Sequence, residues 1–240
     1  VRHHDADFEL GARLLLALAE GVQEVSERSL SQREGAMSCC DCAVFACMRG
    51  GEFPEDCTMG LCASDAREQV LDLYLNSDAR PIMRVATATS GLGIRNKWPR
   101  LREVIHFAHE IGAKRIGIAS CATYVKEVPV LAQILRDEGF EVVGAMCKMA
   151  TIRCSDVDMR EDPTKPDFII CNPIMQAEAL NNAQTDMNIV VGLCVGHDML
   201  FTKRSEALCT TLVVRDQGKG GSLPFREDLQ NYVANREKGE

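Results

Sequence analysis

The chain has 240 residues, 46% of them hydrophobic and 26% charged, and a formal net charge of -8. That size suits one substantial core or a core with a small appendage, and the acidic surplus argues against nucleic acid or an anionic membrane as the main partner. The 12 cysteines are the outlier. In a chain this long with no secretory leader they point to metal ligation or redox chemistry in a reducing cytoplasm, not to a disulfide scaffold.

Residues 1–36 are expected to form an N-terminal helical extension. Phe8, Leu10, Leu14, Leu15, Leu18 and Val22 fall near one face of an amphipathic helix over residues 7–30. The apolar run "LLLALA" is too short to span a bilayer, and the stretch before it is acidic where a leader would be basic.

Residues 37–63 form the second expected unit. The stretch "SCCDCAVFACMRGGEFPEDCTMGLC" holds six cysteines with Gly and Pro and almost no periodicity. Such a segment has too little apolar bulk to fold on packing alone and needs a staple. Cys39-x2-Cys42-x4-Cys47, with Cys57 ten residues later, has spacing that can wrap a tetrahedral metal or one corner set of an iron–sulfur cluster. Sulfur-only ligation suits zinc and iron–sulfur equally.

Residues 64–240 read as a Rossmann-like α/β domain with a helical lead-in. Asp65 and Glu68 mark a capped helix start, and a second helix is expected over about 79–91. After Trp98 and Pro99, the residues Leu101, Val104, Ile105, Ala108 and Ile111 recur at helical spacing and stop at Gly112. "RIGIAS" is then the first strand. A helix carrying Val125, Val128, Leu131, Ala132 and Leu135 follows and closes at Gly139. "FEVVGAM" is the second strand, and "DFII" the third after an irregular segment. Pro173 opens a helix, "NIVVGL" is the fourth strand, a short helix follows His197, and "TTLVV" is the fifth. This alternation predicts a doubly wound parallel sheet of about five strands with helices on both faces.

The first four expected strands each end at a cysteine: Cys121, Cys147, Cys171 and Cys194. In an open parallel sheet those ends line the crevice where ligands bind. Each cysteine alone is better explained as a small buried hydrophobe, but taken together the four suggest that at least two or three share a metal or redox role. His197, close to Cys194, is a candidate ligand or proton donor. Cys209 precedes the fifth strand and falls at the opposite edge. "GLGIR" and "GKGG" lie outside the strand-to-helix frame of a phosphate loop, and no serine-hydrolase or dinucleotide fingerprint is present.

Several segments carry a family resemblance: the C-x2-C-x4-C start with its "FPEDC" return, "WPRLRE", "IGIASC", the "GFEVV" strand with its Cys–Lys end, "CNPIMQAEALN" and "GLCVGHDMLF". Together, from about Met37 to Val214, they resemble the uncharacterised metal-binding proteins grouped as domain of unknown function 1847, found in anaerobic bacteria and archaea. The resemblance implies metal binding at Cys39, Cys42, Cys47 and Cys57. It places Cys121, Cys147, Cys171, Cys194 and His197 in the other shared segments. "CATYV" after the first strand departs from the glycine-containing turn of the family.

The reading that results is an iron–sulfur redox or sulfur-handling protein, with a cluster of the 4Fe-4S type as cofactor. Cys121, Cys147, Cys171 and Cys194 would bind the cofactor, and Cys194 with His197 would act in catalysis. The alternative is a non-catalytic zinc-binding or ligand-sensing protein with a structural site of four cysteines. The expected partners are a small-molecule substrate and an electron-transfer protein, with no nucleic acid and no membrane; a homo-oligomer is compatible with the pattern.

Overall fold

The computed structural model describes residues 39–42, 44–55, 57–160, 162, 164–215, 230 and 232–234. The helix expected over 7–30 lies outside them. The chain divides into two units, Val1–Asn76 and Ser77–Glu240. Among the described residues no helix is long and apolar enough to cross a membrane.

The described residues of the first unit, from 39 to 76, form short turns and two helices. A 3-10 turn at Cys39–Asp41, a short helix α1 (Ala46–Arg49), a second 3-10 turn at Thr58–Leu61 and helix α2 (Ala66–Asn76) follow one another. Ala46 is the only buried residue among those described from 39 to 76.

The second unit opens with helices α3 (Ala79–Asn96) and α4 (Arg100–Glu110). Pro99 stands at the N-cap of α4, and Gly112 at φ 75 ends the turn that follows it. Leu101, Val104, Ile105 and Ala108 form the buried stripe of α4 that the sequence spacing predicts. The alternation then runs β1 (Arg115–Ser120), α5 (Glu127–Asp137), β2 (Glu141–Met146), α6 (Pro173–Asn182), β3 (Met187–Val191), α7 (His197–Arg204) and β4 (Leu208–Val213).

All pairings are parallel, in the order β2-β1-β3-β4. The chain moves one way from β1 to β2 and back across β1 to reach β3. With right-handed crossovers this puts α5 and α6 on opposite faces, so the sheet is wound on both sides. The central strands β1 and β3 are buried almost throughout, whereas β2 and β4 are partly exposed edges.

The sheet has four strands where five were expected. "DFII" contributes only an isolated antiparallel bridge, Arg153 to Ile169. Cys154 N–H donates to Phe168 O (3.0 Å) and Ile170 N–H to Ile152 O (2.9 Å). Asp167 accepts from Ser155 Oγ at 2.8 Å, so this segment pairs with its own preceding loop instead of joining the sheet.

The second residue of β3 is polar and buried for a packing reason. Asn188 stands opposite Gly117 in the register, and its amide occupies the space a Gly117 side chain would need. Thr185 Oγ1 donates to Asn188 Oδ1, and Asn188 Nδ2 donates to Ser205 Oγ, both at 2.8 Å. The buried amide is thus satisfied at both ends.

Candidate functional site

Three of the strand-end cysteines meet. β1 stays hydrogen-bonded to β3 one residue past its end, through Cys121 N–H to Val191 O at 3.0 Å. The β1–β2 register pairs Ser120 with Met146, so Cys121 and Cys147 are the next residues along neighbouring strands. Cys147 N–H donates to Ser120 O at 2.9 Å, which holds that alignment. The segment carrying Cys171 is then drawn alongside: Asn172 N–H donates to Cys147 O (2.7 Å), and Lys148 Nζ donates to Ile169 O (2.6 Å). Asn172 also caps α6 by accepting from Met175 N–H at 3.0 Å, and Pro173 takes the first helical position. "DFII" forms no strand, yet it delivers Cys171 beside β2.

Gln176 of α6 clamps the two strand ends. It is fully buried, and its Nε2 donates to Ser120 O (3.1 Å) and Ala145 O (2.7 Å), immediately before the cysteine of β1 and two residues before that of β2. Its Oε1 is buried with no hydrogen-bond partner among the described residues.

The two inner thiols have opposite electrostatics. Burial pushes the Cys121 thiol up, but hydrogen bonds from the Thr123 side chain and N–H, the Arg215 charge and a hydrogen bond with Cys147 outweigh it and bring it below the usual thiol range. Arg215 Nη1 lies 2.8 Å from Cys121 Sγ and 2.7 Å from Thr123 Oγ1. Cys147 goes the other way. Burial and the charges of Cys171 and Cys121 push it up to about 11, although Ala122 N–H donates to its Sγ at 3.3 Å. The site therefore sets a thiol whose ionisation is eased beside one whose ionisation is hindered. Cys147 interacts electrostatically with both of the other thiols. Cys121 and Cys147 are buried, and Cys171 is half-buried.

Cys194 and His197 lie in the turn between β3 and α7. Cys194 O accepts from His197 N–H (2.9 Å) and Asp198 N–H (3.1 Å), which starts the helix. No hydrogen bond joins either side chain to the three clustered thiols among the described residues. The crevice between β1 and β3 is filled instead by Tyr124, fully buried, whose ring sits where a side chain on Gly192 would be.

In the first unit, Cys39, Cys42, Cys47 and Cys57 are exposed or half-buried, and Cys39 Sγ contacts Thr58 Oγ1 at 3.3 Å. Among the described residues, no three His, Cys, Asp or Glu side chains converge so as to hold a metal ion.

A cavity of about 360 Å³ lies at the other end of the sheet, where Leu208 and Cys209 begin β4 and Met187 begins β3. Its walls are mostly apolar, and burial pushes its one thiol, Cys209, up.

Gln176 and Arg215 are the site residues that the sequence pattern leaves out. Gln176 lies inside "CNPIMQAEALN", where a helical Gln reads as surface; Arg215 follows β4 with no motif around it.

A four-stranded parallel α/β sheet with a thiol cluster at its carboxyl ends defines the class. Within it, the chain belongs to the family described as "Protein of unknown function (DUF1847)", which it matches over residues 58–212. Cys39, Cys42, Cys47 and Cys57 precede the matched region. The chain is also 34% identical over 181 residues to an uncharacterised protein of the archaeon Methanocaldococcus jannaschii, covering 75% of this chain and 88% of that protein. No solved structure matches.

Proposed function

We propose that the protein is a sulfur-handling thiol enzyme in which the Cys121 thiolate attacks an electrophilic sulfur of a small molecule at the carboxyl ends of the strands. The observation that carries this reading is the 2.8 Å contact between Arg215 Nη1 and Cys121 Sγ. A guanidinium keeps its proton at any physiological pH, so a sulfur beside it is favoured as the anion. The thiolate is the nucleophilic form of cysteine, and displacement at sulfur is its characteristic reaction. Solvent supplies the proton that the leaving sulfur takes up, and Cys147 stays protonated beside it. Thiolate ultraviolet absorbance, titrated for the whole chain and for Cys121→Ser, tests this. The difference between the two curves must show a thiolate formed below the usual thiol range; a difference that appears only at or above that range would refute the reading.

A second reading concerns the first unit. Among the described residues from 39 to 76 one is buried, which leaves them almost without a core, and the spacing of Cys39, Cys42, Cys47 and Cys57 favours a structural metal, iron–sulfur or zinc, to supply what packing does not. Metal and acid-labile sulfide content after anaerobic purification checks it. Roughly four irons and four sulfides per chain mean one cubane cluster, about one zinc means a tetrahedral site, and neither means the segment folds without one.

A further inference from the structure

Resting on the reading above, we propose that Cys121, Cys147 and Cys171 form a three-thiol relay that reduces small disulfides, taking the substrate at Cys121 and handing the resulting disulfide outward to Cys171. The order follows from position. Cys147 is tied to both other cysteines: Ala122 N–H, next to Cys121, donates to its Sγ at 3.3 Å, and Asn172 N–H, next to Cys171, donates to its carbonyl. Cys121 and Cys147 continue the register of two neighbouring parallel strands. Such strands lie about 4.8 Å apart, inside the roughly 4.4–6.8 Å that separates the Cα atoms of a disulfide. Cys171 is tied to the same place by the 2.7 Å bond from Asn172 N–H to Cys147 O. Cys121 and Cys147 are buried while Cys171 is half-buried, so Cys171 is the sulfur a large reductant reaches.

The chemistry balances at each step. The Cys121 thiolate attacks one sulfur of a disulfide RSSR, forming a Cys121–SR mixed disulfide and expelling RS⁻, which is protonated by solvent. The Cys147 thiol then loses its proton to solvent and attacks Cys121 Sγ, closing the Cys121–Cys147 disulfide and expelling the second RS⁻, which is also protonated by solvent. Cys171, as thiolate, attacks Cys147 Sγ. The bond to Cys121 breaks, and Cys121 departs as a thiolate onto Arg215 and Thr123, the groups that held it at the start. An external dithiol attacks Cys171 Sγ, closes into its own disulfide and leaves Cys147 and Cys171 reduced. Two electrons pass from that dithiol to RSSR, which becomes two RSH.

The test uses the full chain, fully reduced and then exposed to one equivalent of 2-hydroxyethyl disulfide. Acid quenching, differential alkylation and peptide mapping follow. The relay predicts a Cys147–Cys171 disulfide with Cys121 free in the wild type, a Cys121–Cys147 disulfide in Cys171→Ser, and a persistent mixed disulfide on Cys121 in Cys147→Ser and Cys147→Ala. A wild type that stops as the Cys121 mixed disulfide, or as Cys121–Cys147 with Cys171 untouched, overturns the relay and leaves Cys121 as the nucleophile. No adduct on Cys121 in either Cys147 variant would remove the underlying reading as well. Because the wild-type map needs no substitution, a variant that fails to fold leaves the outcome readable.

Discussion

Arg215 Nη1 bridges Cys121 Sγ at 2.8 Å and Thr123 Oγ1 at 2.7 Å, so one guanidinium touches both the strand-end thiol and the hydroxyl that hydrogen-bonds it. The bond crosses from the end of β4 to the end of β1, over 94 positions of sequence. Removing the cation leaves burial, which raises the thiol, opposed only by hydrogen bonds. Arg215→Gln is expected to move the Cys121 thiolate titration to higher pH and to slow its alkylation near neutrality. Arg215→Lys, which keeps the charge but not the fork, is expected to recover part of the loss. An unshifted titration in Arg215→Gln would show that the guanidinium does not set the thiolate.

Cys147 gives the protein an alkaline weakness. Its folded-state titration lies up at about 11, from an ordinary value of 9.0. The unfolded chain therefore sheds the proton first, and the stabilisation is complete below about pH 9 and lost as pH rises through about 11. Urea unfolding across that window should show stability falling by up to roughly 2 kcal/mol. Cys147→Ala should flatten that slope, since the group responsible is gone; the same slope in both proteins would assign it elsewhere.

Gly192 is held open for Tyr124. It sits at φ 63, and a side chain there would overlap the Tyr124 ring. Gly192→Ala combines a left-handed backbone with a steric clash and should cost about 2–4 kcal/mol in chemical unfolding. A loss within about 0.5 kcal/mol, the range of a neutral surface change, would mean that the ring and turn relax freely.

The Gln176 amide spans the ends of β1 and β2 through its two bonds to Ser120 O and Ala145 O. Gln176→Leu keeps the bulk and removes the donor, and should lower unfolding free energy by about 1–2 kcal/mol. In the disulfide-mapping experiment it should also slow closure of Cys121–Cys147, because the two strand ends lose their shared donor. Unchanged closure would make the clamp purely structural.

The parts of the fold visible in the sequence are those with strong period and punctuation. The α4 stripe, the glycines at 112 and 139, Pro173 after its Asn cap, and the buried runs of β1 and β3 all fall where spacing places them. "DFII" misled because four apolar-rich residues fit a buried strand equally well, and its partner is decided by Asp167 and Ser155 rather than by its own pattern. Of the strand-end cysteines, Cys121, Cys147 and Cys171 converge, and Cys147, which strand order alone assigns to the edge, interacts electrostatically with both of the others. It stands on an edge strand, but α6 and the Cys171 segment close over that edge. Arg215 could not be read in advance, since nothing local records that the end of β4 returns to the end of β1.

The most direct measurement is the alkylation rate of Cys121 itself, resolved by peptide mapping from the other thiols, as a function of pH with limiting iodoacetamide. Cys121 is expected to reach half its maximal rate at a lower pH than Cys147, and below the range of an unperturbed thiol. A Cys121 that reacts only in the ordinary thiol range, or after Cys147, would contradict a thiolate held by Arg215.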